Sequence, residues 1–133
     1  MMFVRSSLFA AAAVAVGSLI ATPAAAAQPG VGCQPALSAP ELVELAGGTR
    51  AVRASLTMSG CAPNAQPTDV RVCLAPANGN GQCKKLPGWA DVQVIIPATP
   101  SGVFTATGEA CWHEILGSFT SGCRSAGPIT ATY

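Results

Sequence analysis

The chain contains a single histidine, His113, and no C-x-x-C pair. Those two deficits remove the usual ligand sets of zinc sites, which draw closely spaced donors from cysteine and histidine. No G-x-S-x-G elbow surrounds any serine, so the turn that presents a hydrolase nucleophile is missing too. Charge is also scarce. Charged residues are 10% of the chain and the net charge is +1, so no strong field is available to steer a partner. Beyond the N-terminal stretch the cations are Arg50, Arg53, Arg71, Lys84, Lys85 and Arg124. They are scattered among Glu41, Glu44, Asp69, Asp91, Glu109 and Glu114 and cancel them. A nucleic-acid partner would need a basic patch, so none is expected. The dispersed acids select neither a carboxylate pair for glycoside hydrolysis nor a calcium cluster, and no metal or cofactor is expected. After residue 27 no run is long and apolar enough to cross a membrane.

What is present begins with an export signal. Residues 1–7 carry one cation, Arg5, and residues 8–20 are apolar, rich in alanine, valine and leucine. Ala24-Ala25-Ala26 then supplies a small-residue cleavage site. The order is that of a secretory signal peptide. The apolar stretch is short for a hydrocarbon core of about 30 Å, and no stop-transfer charges follow it. Gly30-Val31-Gly32 ahead of Cys33 lacks the leucine of a bacterial lipobox, which argues against acylation there. The expected organisation is a cleaved signal over 1–27 and one secreted domain over 28–133, with no transmembrane anchor in the mature part.

All six cysteines fall in that domain: Cys33, Cys61, Cys73, Cys83, Cys111 and Cys123. An even count in a small exported domain predicts three disulfides. Residues 70–86, VRVCLAPANGNGQCKKL, show how one would form. Cys73 and Cys83 flank Asn78-Gly79 and Asn80-Gly81, and Asn-Gly is a strong hairpin signal. Two strands folding back there place these cysteines opposite each other. The expected pairing is Cys73–Cys83, Cys111–Cys123 and Cys33–Cys61. Strand parity puts Cys61, Cys73 and Cys111 on polar faces, so the bridges should clip hairpins and loop ends rather than join two sheets.

The remainder alternates with the two-residue period of half-buried strands. Val52, Ala54, Leu56 and Met58 form one apolar face; Val70, Val72 and Leu74 form a second; Val92, Val94 and Ile96 a third. Phe104, Ala106, Gly108, Ala110 and Trp112 line the longest run, and Ile129, Ala131 and Tyr133 the last. Residues 28–36 read as an irregular leader and residues 116–127 as a loop. Residues 37–48 read either way. Ser38 and Glu41 fit a capping box, giving a short helix near 39–46, while Gly47-Gly48 equally fits the turn after a strand. Six to seven short strands with turn signals between them predict an all-β, small antiparallel β-sandwich.

Leu45-Ala46-Gly47-Gly48-Thr49, running into an alternating strand that ends Ser59-Gly60-Cys61, resembles the opening strands of secreted bacterial immunoglobulin-like and fibronectin-type domains. That resemblance implies a β-sandwich that acts by binding.

Few side chains offer chemistry. His113, beside Glu114, is the lone general-base candidate, with Asp69 or Asp91 as formal partners of a serine triad. Without a nucleophile motif it reads as an exposed strand residue. Lys84-Lys85 directly follows Cys83. A disulfide-braced basic loop would suit a trypsin-like pocket, whereas two solvated lysines would guard a sheet edge. Trp89 stands beside the Pro87-Gly88 turn, and Phe119 lies inside the ring that Cys111–Cys123 closes. Either aromatic marks a binding surface if exposed and fills the core if not. The expected function is a secreted, non-enzymatic binding or structural module with an extracellular or cell-envelope partner, and no catalytic residues. The alternatives are a protease or glycosidase inhibitor and a small hydrolase using His113.

Overall fold

A computed structural model describes residues 32–98, 102–117 and 120–133. The expected signal peptide, residues 28–31 and Phe119 lie outside the described residues. Eight strands follow in order: β1 (Cys33–Leu37), β2 (Glu41–Glu44), β3 (Arg50–Cys61), β4 (Ala65–Pro76), β5 (Gln82–Pro87), β6 (Val92–Pro97), β7 (Val103–Glu114) and β8 (Ser121–Thr132). They form two antiparallel sheets packed face to face. No helix occurs among the described residues, and none there is long and apolar enough to cross a membrane.

The first sheet has three columns. β1 pairs with the C-terminal half of β3 and β2 with its N-terminal half, so the two lie in line along one edge. β6 pairs along the other edge. At the break between β1 and β2, Ser38 keeps contact with β3. Its N–H donates to the Ser55 carbonyl at 2.8 Å, and its hydroxyl accepts from the Ser55 N–H at 2.9 Å. Pro40 cannot donate to a ladder, which suits an interruption on an edge. The second sheet runs β5–β4–β7–β8. β6 packs beneath β4 and β5, and β1 beneath β7 and β8.

Between the sheets lies one apolar layer. Val52, Ala54 and Leu56 of β3 and Val92, Val94 and Ile96 of β6 meet Val70, Val72 and Leu74 of β4 and Phe104, Ala106 and Ala110 of β7. These are the alternating positions read above. The layer is thin over β7, where a side chain at Gly108 would run into Leu56. A second cluster closes one end, with Trp112 against Cys33, Cys61, Ala62 and Ala65. Gly32 and Gly122 both pack so near the Trp112 ring that a Cβ on either would overlap it.

Four expectations are corrected. The strands number eight, one above the expected range, because Cys33–Leu37 is paired rather than an irregular leader. The helix near 39–46 does not form. Leu42 and Val43 lie opposite Val52 and Ala51, and Leu45 accepts a turn bond from Gly48, so β3 supplies the partners that a short isolated helix would lack. Residues 121–127 are strand rather than loop, because their small side chains let β8 lie close against Trp112. Cys33 is fully buried, and Cys61 packs with it instead of facing solvent. The cause is a bulge at Ser59. Pro35 faces Met58 and Gln34 faces Gly60, leaving Ser59 extra, and one extra residue reverses the faces beyond it.

The disulfide pairing is as expected: Cys33–Cys61, Cys73–Cys83 and Cys111–Cys123. Each joins neighbouring strands of one sheet, β1 to β3, β4 to β5 and β7 to β8. None joins the two sheets.

Candidate functional site

Strand direction sorts the connections into two groups. The β3–β4, β5–β6 and β7–β8 connections, described over residues 62–64, 88–91 and 115–117 with 120, emerge at the same end as Trp112. The β2–β3 and β4–β5 connections emerge at the opposite end, and the β1–β2 break lies midway along the edge of β3. Backbone hydrogen bonds tie the first group down. Ile115 N–H donates to the Asn64 carbonyl at 2.9 Å, and Gly88 N–H donates to the Thr68 carbonyl at 3.0 Å. Cys111–Cys123 clamps the base of the β7–β8 connection, and Cys33–Cys61 with Trp112 forms the floor beneath it.

This end carries exposed apolar side chains. Trp89 is 57% exposed, Leu116 61% and Ile115 41%. With β5 and β7 flanking β4, Trp89 lies two strands across from the Ile115-Leu116 pair and is offset along β4, since Gly88 bonds Thr68 while Ile115 bonds Asn64. The sequence marked Trp89 by its turn. It did not mark Ile115 and Leu116, whose only signal is an apolar doublet ahead of Gly117 where the alternating run gives way to the expected loop. Phe119 belongs to the same connection.

The outer face of the second sheet gathers the polar candidates. Lys85, Arg71, Glu109 and Ser125 stand opposite one another in a row across its four strands. Arg71 and Glu109 approach to 3.8 Å and Lys85 and Asp69 to 3.4 Å, all partly or largely solvated. A shallow groove of about 300 Å³ opens beside this row, floored by Gly127 and Pro128 at the β7–β8 bulge. Glu109 sits within 4.8 Å of the Cys111 and Cys123 sulfurs, but both sulfurs are spent in a disulfide and neither is a thiolate donor.

His113 projects from this face, opposite Gln66 and Ser121, and is exposed. It has no hydrogen-bond partner among the described residues, so no serine–histidine–carboxylate relay is assembled there. Lys84 and Lys85 lie within β5, opposite Val72 and Arg71, and neither stands on a protruding turn. They face opposite ways: Lys85 outward, Lys84 toward the space between the sheets, though its side chain stays exposed. Lys84 and Lys85 are therefore not brought together with Trp89 at the loop end.

Against models of known protein families, curated proteins and solved structures, the chain shows no match.

Proposed function

We propose that this protein is an exported, non-enzymatic binding module that meets its partner through the end formed by residues 62–64, 88–91 and 115–117. The observation that carries this reading is the braced apolar loop end. Two separate connections hold Trp89, Ile115 and Leu116 out in solvent above a floor stapled by two disulfides. Exposed aromatics on a rigid base are what binding hot spots require, because little order remains to be lost on contact. Export is supported by the N-terminal sequence and by three disulfides in a small domain, which persist in oxidising compartments.

The strand order supports an immunoglobulin-like or fibronectin-like relationship. Columns β1/β2, β3 and β6 face β5, β4, β7 and β8, which corresponds to A, B and E facing C′, C, F and G. In that scheme the apolar loops fall at the end where antibody variable domains carry their binding loops. One feature departs from antibody domains. Their buried tryptophan packs on a disulfide between the sheets, whereas Trp112 packs on Cys33–Cys61, within one sheet.

The test is affinity capture from the native extracellular milieu with the oxidised domain as bait, alongside Trp89→Ala/Leu116→Ser and Leu45→Ser variants. Loss of a hot-spot tryptophan should weaken retention of the specific partner by at least about 10-fold. Leu45→Ser, at the opposite end, should leave it unchanged. A partner retained equally by all three would sink the proposal.

A further inference from the structure

Each sheet of an open sandwich has two edges, and an edge strand offers unpaired backbone groups to any extended chain. Three of the four edges here carry recognised obstacles. The β1/β2 edge has Pro35 at a bulge and Pro40 in the break. The β5 edge carries Lys84 and Lys85. The β8 edge is interrupted at Gly127-Pro128. The β6 edge carries only Pro97, at its C-terminal end; from Val92 to Ile96 it has no charge, no proline and no bulge.

The direction of its backbone groups follows from one bond. Ala98 N–H donates to the Arg50 carbonyl at 3.1 Å, and in an antiparallel ladder such bonding residues alternate. Ile96, Val94 and Val92 therefore bond β3, while Gln93 and Ile95 turn both N–H and C=O away from it. Pro97 falls in the outward-facing set, where its missing N–H breaks no ladder bond. No bond to Gln93 or Ile95 from outside the sheet occurs among the described residues.

The sandwich also lacks something beside β6. The second sheet has four columns and the first three. β6 lies beneath β4 and β5, so β5 overhangs it. Gln82, Lys84 and Leu86 turn toward the space under the overhang, since they stand opposite the inward-facing Leu74, Val72 and Val70. Gln82 and Lys84 remain exposed there, and Lys84 has no ion-pair partner among the described residues.

We infer that β6 accepts an extended segment of a partner chain as a fourth strand of the first sheet, with an inward-facing acidic residue of that segment meeting Lys84. Main-chain bonds to Gln93 and Ile95 hold the segment, and its alternate side chains enter the gap below β5. With sheets packing about 10 Å apart, a lysine side chain from one reaches a carboxylate side chain from the other. The surface is separate from the loop end and does not depend on that reading.

The probe is a fluorescein-labelled, end-blocked peptide, Thr-Val-Thr-Glu-Thr-Val-Thr, titrated into the oxidised protein by fluorescence anisotropy. Amide exchange is followed by NMR. The peptide should bind and slow exchange at Gln93 and Ile95. Replacing its Glu with Lys should weaken binding by about 10-fold, and Lys84→Glu should reverse that preference. Gln93→Pro removes an outward donor without touching the β3 ladder, so it should abolish binding while the thermal transition remains. No binding up to millimolar peptide, equal affinity for the Glu and Lys peptides, or protection confined to another edge would each overturn the inference.

Discussion

Trp112 shows how much of this small core depends on what its neighbours leave out. The ring is 7% exposed, though it stands at the end of the sandwich where the layer would otherwise open. It stays covered because Gly32 and Gly122 bring backbone against its face, and because Arg124 lies over the ring at 5.8 Å. The Gly122 Cβ position is 2.8 Å from the ring, too close for any methyl, and the neighbour is a rigid indole that cannot swing aside. Gly122→Ala should therefore destabilise the domain by about 1–3 kcal/mol, the usual cost of overpacking, measured by urea denaturation. The Arg53–Glu41 pair makes an instructive contrast. It links β3 to β2 by direct hydrogen bonds, but both side chains are well exposed. Solvent and side-chain entropy offset most of such an attraction, so Glu41→Gln should change stability by less than about 1 kcal/mol in the same assay.

At the level of elements, the strands differ in how openly they announce themselves. β3, β4, β6 and β7 are legible because each buries one face, and burial forces apolar and polar residues to alternate. β1 and the first half of β8 carry no such pattern. β1 contains a proline at a bulge, and β8 begins Ser-Gly-Cys-Arg-Ser-Ala-Gly, residues that apart from Arg124 are small and suit close approach rather than hydrophobic alternation. The ends are harder still, since a bulge such as that at Ser59 reverses facing without any mark in composition. Ser38 is a case where one side chain holds an element in register. Its two bonds to Ser55 bridge the gap between β1 and β2. Removing the hydroxyl leaves the Ser55 amide unpaired in a partly buried position. Ser38→Ala should cost about 1–2 kcal/mol, with faster amide exchange at Ser55 as the local signature.

For the molecule as a whole, the three disulfides divide their work. They close separations of 28, 10 and 12 residues, and in the loop-entropy account each contributes about 3 kcal/mol. A domain of this size has a net stability of roughly 5–15 kcal/mol, so together they are comparable to the whole of it. Excess reductant should abolish the cooperative thermal transition or lower its midpoint sharply, followed by circular dichroism; an unchanged melt would show that the core suffices alone. The sequence by itself determined the all-β class, the two hairpin bridges Cys73–Cys83 and Cys111–Cys123, and the apolar faces of the long strands. These depend on local period and on chain separation, which can be read one segment at a time. Tertiary structure alone decided that β1 and β2 share one edge of β3, that Cys33–Cys61 turns inward beneath Trp112, and that residues 88–91 and 115–117 emerge together. Each of those depends on which strand lies beside which, and a register set by bulges and close glycine contacts leaves no periodic trace along the chain.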